Sequence, residues 1–395
     1  MFKPLNRFKA IPQKHTSPWI IYLIVFGLTL HLTPALYINS SFLETIIAER
    51  TVGLIYSIAS IITIFVLFFL MTKSLKKFGN YKTFIGTMII EFIALALLAI
   101  APSAPVVIIA FMVHFITTSV AYMSIDIFLE DGAKEESMGG TRGILLSTVA
   151  VAFAVGPLIS GKILETGMFW LVYVLGMVML SIVIFVSMMK LRNFKDPEYL
   201  KVNKEVILNN VFVHKNIYFA MQTGFMLRFF YAWMIIYSPL LLRGIGFDWS
   251  QTGLILAIGL IPFIFLDAPL GIMADKYHSE RTLLSIGFII MSLSCFAIFF
   301  APPILNIFMW SSIIFFGRIG AAFLETASES YLFKNIKSND LSVLTFFRTI
   351  RPVAYVIAPI IASILIPFFG IEGLFLVLGG YLLYGLRYSL AIKRI

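Results

Sequence analysis

The feature that most constrains this chain is the recurrence of long apolar runs separated by short charged loops. A helix rises about 1.5 Å per residue, so about 20 apolar residues cross the roughly 30 Å of hydrocarbon in a bilayer. Twelve runs are long enough: 18–38, 52–71, 84–101, 106–128, 144–163, 169–189, 217–242, 253–273, 283–300, 304–323, 343–369 and 374–390. Hydrocarbon offers no partner to an unpaired amide, so these runs are predicted to be helices and the chain an all-α integral membrane protein. Composition agrees, with 60% hydrophobic and 13% charged residues and a mean hydropathy of +0.96, far from a water-soluble domain. Thirty-nine Phe and 17 Met exceed what one soluble core holds, whereas lipid accepts them on outer faces.

The chain repeats itself. The fourth run closes on Asp126 and Glu130, a polar loop follows with Arg142 near its end, and the fifth run contains Gly156-Pro157 and Ser160-Gly161. In the second half Glu325 and Glu329 close the tenth run, and Arg348 and Arg351 open the eleventh, which contains Ala358-Pro359. Aligning Pro157 with Pro359 brings Asp126 to within one residue of Glu329. Charges and a proline repeated at this distance imply two related halves. Two pseudo-symmetric six-helix bundles are expected, residues 1–190 and 216–395, joined by a charged linker at 191–215.

Lysine and arginine fix an expected orientation. The N-terminal tail, the loop after the second run (Lys73, Lys76, Lys77, Lys82), the linker and the C-terminal Lys393 and Arg394 all fall on one side, while the opposite loops hold only Arg50, Lys162 and Arg243. The positive-inside rule then places both termini in the cytoplasm of a cell membrane. The net charge of +10 lies in short loops and forms no basic groove with interleaved aromatics, so nucleic acid is not an expected partner. The first run lacks a following small-residue cleavage site and reads as a retained helix. Asn39-Ser40-Ser41 matches a glycosylation sequon at a membrane edge and carries no weight. Cys295, the single cysteine, reads as a small core residue.

Twelve helices in two sets of six with a charged central loop resemble the major facilitator superfamily over essentially the whole chain. Gly271-Ile-Met-Ala-Asp275-Lys276 after the eighth run resembles that family's Gly-x-x-x-Asp-Arg/Lys loop. The equivalent loop after the second run keeps Lys76, Lys77 and Gly79 but lacks the first glycine and the acid. In the fifth run, the segment from Ala152 to Gly161 resembles the Gly-Pro motif of drug and proton antiporters, with two small residues in place of glycines; Gly-Pro also occurs as a simple packing kink.

The resemblance makes the acidic pairs a cytoplasmic gate. Asp126 with Glu130, and Glu325 with Glu329, are spaced i,i+4 and share a helix face. Lys76 or Lys77 is expected to serve the first pair and Lys276 or Arg281 the second, with Asp275 meeting the start of the fifth helix near Arg142. The alternative is solvated interfacial charge of little energetic value. Runs 1, 4, 7 and 10 line the central cavity of the resembled fold, and here they carry His31, His114, Arg228 and Arg318 near their middles. Gln222 and Tyr231 add polar and stacking groups for a small-molecule substrate. The competing reading pairs the two arginines with Glu91 or Asp267. For proton coupling the candidates are His31, His114 and Glu91, the histidines being alternatively packing residues.

The chain holds no phosphate-binding glycine loop with its lysine, no metal-ligand cluster and no serine elbow, so neither an enzyme nor a cofactor is expected. The implied function is secondary transport by alternating access, with proton-coupled efflux of an amphiphilic or anionic compound as the leading form. Uptake of an organic anion or nutrient, or a non-transporting sensor with the same fold, are the alternatives. Membrane lipid is the expected surround, and short loops make a monomer the default.

Overall fold

A computed structural model describes residues 18–132, 138–196, 215–277, 280–335 and 341–392. Among these there are helices and turns but no strand. The helices are α1 (Pro18–Leu36), α2 (Asn39–Glu44), α3 (Glu49–Phe65), α4 (Thr72–Ile100), α5 (Ala104–Gly132), α6 (Met138–Leu164), α7 (Phe169–Lys190), α8 (Lys215–Ile245), α9 (Trp249–Tyr277), α10 (Glu280–Phe300), α11 (Ile307–Asn335) and α12 (Leu341–Ala391). A π-helical stretch, Val66–Met71, joins α3 to α4.

Nine helical stretches among the described residues have the length and apolarity to cross a membrane, and Thr148–Leu164 is a shorter apolar helix. Two of the nine, Thr51–Ile100 and Thr349–Ala391, are much longer than a bilayer requires. Each is broken by a glycine with positive φ, Gly79 at +78° and Gly370 at +68°, where a side chain would be strained. At Gly79 the chain reverses. The hydroxyls of Ser74 and Thr83 lie 2.9 Å apart, whereas a continuous helix would separate these residues by about 13 Å. Asp196 then closes the turn, its Oδ1 accepting the Asn80 backbone N–H at 2.6 Å, while Asn80 Nδ2 donates to Ser124 O at 2.9 Å. A carboxylate at a fresh helix N-terminus answers both the free N–H groups and the helix dipole.

Polarity is inverted relative to a soluble protein. Large apolar side chains such as Ile93, Phe185, Phe308 and Phe368 point outward, while Glu91, His31, His114 and Arg318 are buried. Lysines at 73, 76, 77, 82, 190 and 195 surround the Gly79 turn and the end of α7; we call this the basic end. The turns at Ala101, Gly167 and Gly246 lie at the opposite, neutral end.

Helices α1 to α7 pack among themselves, as do α8 to α12; α6 against α9 and α3 against α12 join the two sets. Near the neutral end backbones meet closely. A Cβ on Gly253 would sit 2.2 Å from Pro157 O, and one on Gly161 2.6 Å from Trp249 O. A Cβ on Gly53 would fall 2.3 Å from the Tyr237 hydroxyl and 3.0 Å from Pro359 O. Ser57 donates to Val356 O at 2.9 Å, and Phe169 meets Trp249 edge-on at 5.4 Å. At the basic end the described aromatic contacts stay within a set: Phe128 with Phe194, and Tyr218 with Tyr388.

Candidate functional site

The deepest polar cluster lies in the first set. Glu91 of α4 is fully buried, an arrangement that costs several kcal/mol unless partners surround the carboxylate. They do. His114 Nδ1 of α5 lies 2.6 Å and His31 Nε2 of α1 3.3 Å from Glu91 Oε1, and Thr117 Oγ1 is 2.5 Å from Oε2. His31 Nδ1 is also bonded to Leu28 O, and a carbonyl can only accept, so that nitrogen carries a hydrogen. With Glu91 ionised, His114 Nδ1 is the donor to Oε1.

This accounting leaves one contact short. With His31 neutral and its hydrogen on Nδ1, a bare Nε2 would face a bare carboxylate oxygen, lone pair against lone pair. One further proton, on His31 or on Glu91, turns that contact into a hydrogen bond and brings the cluster to zero net charge, as a low-dielectric interior favours. Gly176 of α7 sits behind His31, its would-be Cβ 3.2 Å from His31 O.

The second set carries a different arrangement. Arg228 Nη1 of α8 lies 2.5 Å from Glu325 Oε1 of α11, and the Tyr231 hydroxyl donates to Oε2 at 2.7 Å. The side chains of Arg228 and Glu325 retain 18% and 27% exposure, so this pair borders accessible space whereas Glu91 does not. Tyr231 stands between two cations, its ring centroid 5.6 Å from the Arg228 guanidinium and 5.5 Å from that of Arg318. Arg318 also lies 5.5 Å from the Phe230 ring. Such contacts hold a cation by the negative face of the ring.

The model of the Major Facilitator Superfamily matches residues 18–265 and 219–390, which together cover nearly all of the chain. The chain belongs to the major facilitator superfamily. It is therefore a membrane transporter, a multi-pass protein of the superfamily's all-α fold. Among solved structures, the nucleoside transporter NupG is similar with a TM-score of 0.75 at 11% identity, covering 95% of this chain and 98% of that one. A point variant of the same nucleoside transporter is similar with the same score and identity, covering 95% and 99%. No curated protein sequence matches significantly.

Against this superfamily fold, the residues singled out from sequence redistribute. His31, Glu91 and His114, expected from sequence as separate proton carriers, form one cluster. Glu325 was expected at a helix end, served by Lys276 or Arg281; instead α11 runs on to Asn335 and Glu325 pairs inside the fold with Arg228. The pairing of an arginine with Glu91 is replaced by the two histidines. Gln222 is half-buried on α8 and Asp126 on α5, while Lys76, Lys77 and Arg351 are exposed. Lys77 lies over the Phe78 ring at 5.1 Å.

Gly156 and Pro157 act as contact surface. A Cβ on Gly156 would strike Thr33 Oγ1 at 2.4 Å, and the Pro157 carbonyl abuts Gly253. Gly271 has ordinary room, with Thr326 Cγ2 at 3.8 Å. The side chains of Glu130, Arg142, Asp275, Lys276, Glu329 and Arg348 lie outside the described residues. The sequon asparagine is buried, Asn39 Oδ1 accepting from the Tyr173 hydroxyl at 2.9 Å, and Cys295 is buried.

Sequence reasoning passed over Thr117 and Asp196. A threonine one helical turn beyond a buried histidine was the available signal for the first. Nothing local marked the second, because its partner is distant in sequence.

Proposed function

We propose that this transporter moves a small solute by alternating access and couples that movement to protons through the Glu91 cluster. One observation carries the reading: hydrogen-bond accounting at Glu91 calls for one further proton in a buried cluster built from α1, α4 and α5. Losing that proton would leave a buried net charge and an unpaired contact, favouring a conformation that admits water.

The proposed count is twelve crossings, with two each from Thr51–Ile100 and Thr349–Ala391, one from Thr148–Leu164 and one from each of the seven other spans. Residues 1–190 and 216–395 are the rocking units, and 191–215 the tether. Placing the basic end in the cytoplasm of a cell membrane satisfies the charge bias. The close packing at the neutral end then makes this conformation inward-facing, and a monomer suffices for the cycle. Gly156-Pro157 and Gly253 form the outer contact that closes here, while the acidic and basic groups at 126–142, 271–281 and 329–351 form the inner contact that closes in the opposite state.

The helix-five motif supports efflux of an amphiphilic or anionic compound in exchange for protons. A second reading, uptake of an organic anion with a proton, is favoured by Arg318, with which no carboxylate among the described residues pairs.

The test is a pH-step assay on protein reconstituted in liposomes, with a panel of labelled carboxylates and, after the similar solved transporter, nucleosides. The expected result is gradient-driven accumulation or depletion of one solute, lost in Glu91→Gln while equal-pH exchange of that solute persists. Gradient-driven movement undiminished in Glu91→Gln would overturn the proposal.

A further inference from the structure

A third group of polar side chains is buried where the two sets of helices meet. Arg318 of α11 is 3% exposed, Tyr37 beyond α1 3%, Tyr56 of α3 1% and Tyr355 of α12 3%. Arg318 lies alongside the Tyr37 hydroxyl. The Arg351 guanidinium lies 5.9 Å from the Tyr355 ring; Tyr37 and Arg318 also stand near Tyr355, and Tyr56 stands near Tyr355 and Tyr237. The group therefore draws on both sets of helices at once.

Arg318 shares a hydrogen bond with the Tyr37 hydroxyl, but among the described residues none hydrogen-bonds Arg318 Nε or the hydroxyls of Tyr56 and Tyr355, although buried donors nearly always find partners. Around them stand aromatic walls. Tyr56 packs on Phe111 at 4.8 Å and on Phe115 at 5.9 Å, and Phe115 on Tyr355 at 6.0 Å.

We infer that Arg318, Tyr56 and Tyr355 form a binding site for a small carboxylate with a flat apolar body, the carboxylate lying on the guanidinium and the phenol hydroxyls and the body against the aromatic wall that Phe111 and Phe115 build beside Tyr56. This inference rests on the transport reading above and specifies its substrate class. Three features select that chemistry. The guanidinium fork and two phenol O–H groups are all able to donate, so they suit an acceptor with several lone pairs. The guanidinium fork matches the planar geometry of a carboxylate. The aromatic walls favour a flat apolar body over a compact hydrated ion. Because the ligand would touch α3 and α12 together, it would also bridge the helices that join the two sets.

The test measures binding without transport. Purified full-length protein in detergent is titrated with benzoate, with uncharged benzyl alcohol and with inorganic phosphate, following the thermal unfolding midpoint. Saturable stabilisation by benzoate is expected, with benzyl alcohol and phosphate at least roughly tenfold weaker, the usual scale for losing one charge-assisted hydrogen bond. Arg318→Gln should abolish the benzoate shift, and Tyr355→Phe should weaken it severalfold. Should Arg318→Gln fail to fold, Arg318→Lys with Tyr56→Phe carries the test, and affinity must fall in both. Glu91→Gln should still bind benzoate, which separates this site from the proton reading. Equal shifts from benzoate and benzyl alcohol, phosphate binding as tightly as benzoate, or an unchanged shift in the arginine variants would each overturn the inference.

Discussion

At the scale of single residues, the energetics turn on what each buried group would lose with its partner. Glu91→Ala leaves two histidines and a threonine around a hole, and breaking a buried charged network this way costs about 3–5 kcal/mol. Glu91→Gln keeps the shape and should cost less, so the two variants should separate clearly in a denaturation series in detergent. Thr117→Val removes one hydroxyl donor and should cost about 0.5–2 kcal/mol, the range of hydrogen bonds between membrane helices. Arg228 and Glu325 should couple in a double-mutant cycle, with Arg228→Gln partly offset by Glu325→Gln, because they border accessible space and water softens the loss. Near-additive single and double variants would remove the pair from the account. His31, Glu91, His114, Arg228 and Arg318 were all legible as costly groups in apolar runs. Their partners were not. Helix α5 is apolar nearly all round, so nothing in its sequence fixes which face turns toward α4.

At the scale of elements, glycines set how near the two sets approach. A side chain at Gly253 collides with the Pro157 carbonyl, a backbone atom that cannot rotate away. Gly253→Leu should therefore force α6 and α9 apart and shift spin-label distances across the neutral end toward longer values, with little effect on distances inside either set. Unchanged distances would mean that this contact does not close the neutral end. Asp196→Ala should loosen the Gly79 turn by removing the carboxylate from the Asn80 N–H, costing about 1 kcal/mol, the usual value of an N-cap. The Gly-Pro motif of the fifth run was visible in sequence as both family mark and packing kink, and the structure uses it as a contact with Thr33 on one side and α9 on the other. The end of α11 was misplaced for a physical reason. Glu325 and Glu329 read as the closing turn of the tenth run, whereas the helix continues to Asn335 and Glu325 lies inside the fold against Arg228 and Tyr231.

At the scale of the molecule, the fold followed from the spacing of apolar runs, since bilayer thickness leaves helices few alternatives. Conformational state is not written in that spacing; it emerges from contacts between residues hundreds of positions apart, such as Ser57 with Val356. Glu49 begins α3 at the neutral end, and burial first, then the nearby charge of Glu372, raises its pKa above the usual carboxylate range. Glu44 and Tyr237 also face this group. A carboxyl with a raised pKa binds its proton more tightly here than in water, so falling pH should favour the closed neutral end and rising pH should loosen it. Spin-label distances at the neutral end should show that trend in the wild type and a flatter response in Glu49→Gln. The central claim concerns the other proton, the one buried at Glu91. Infrared difference spectra of the reconstituted protein after a pH step report it most directly. A carboxyl or carboxylate band should change with pH in the wild type, shift in His31→Gln and vanish in Glu91→Gln; a difference spectrum that Glu91→Gln leaves intact would contradict the account.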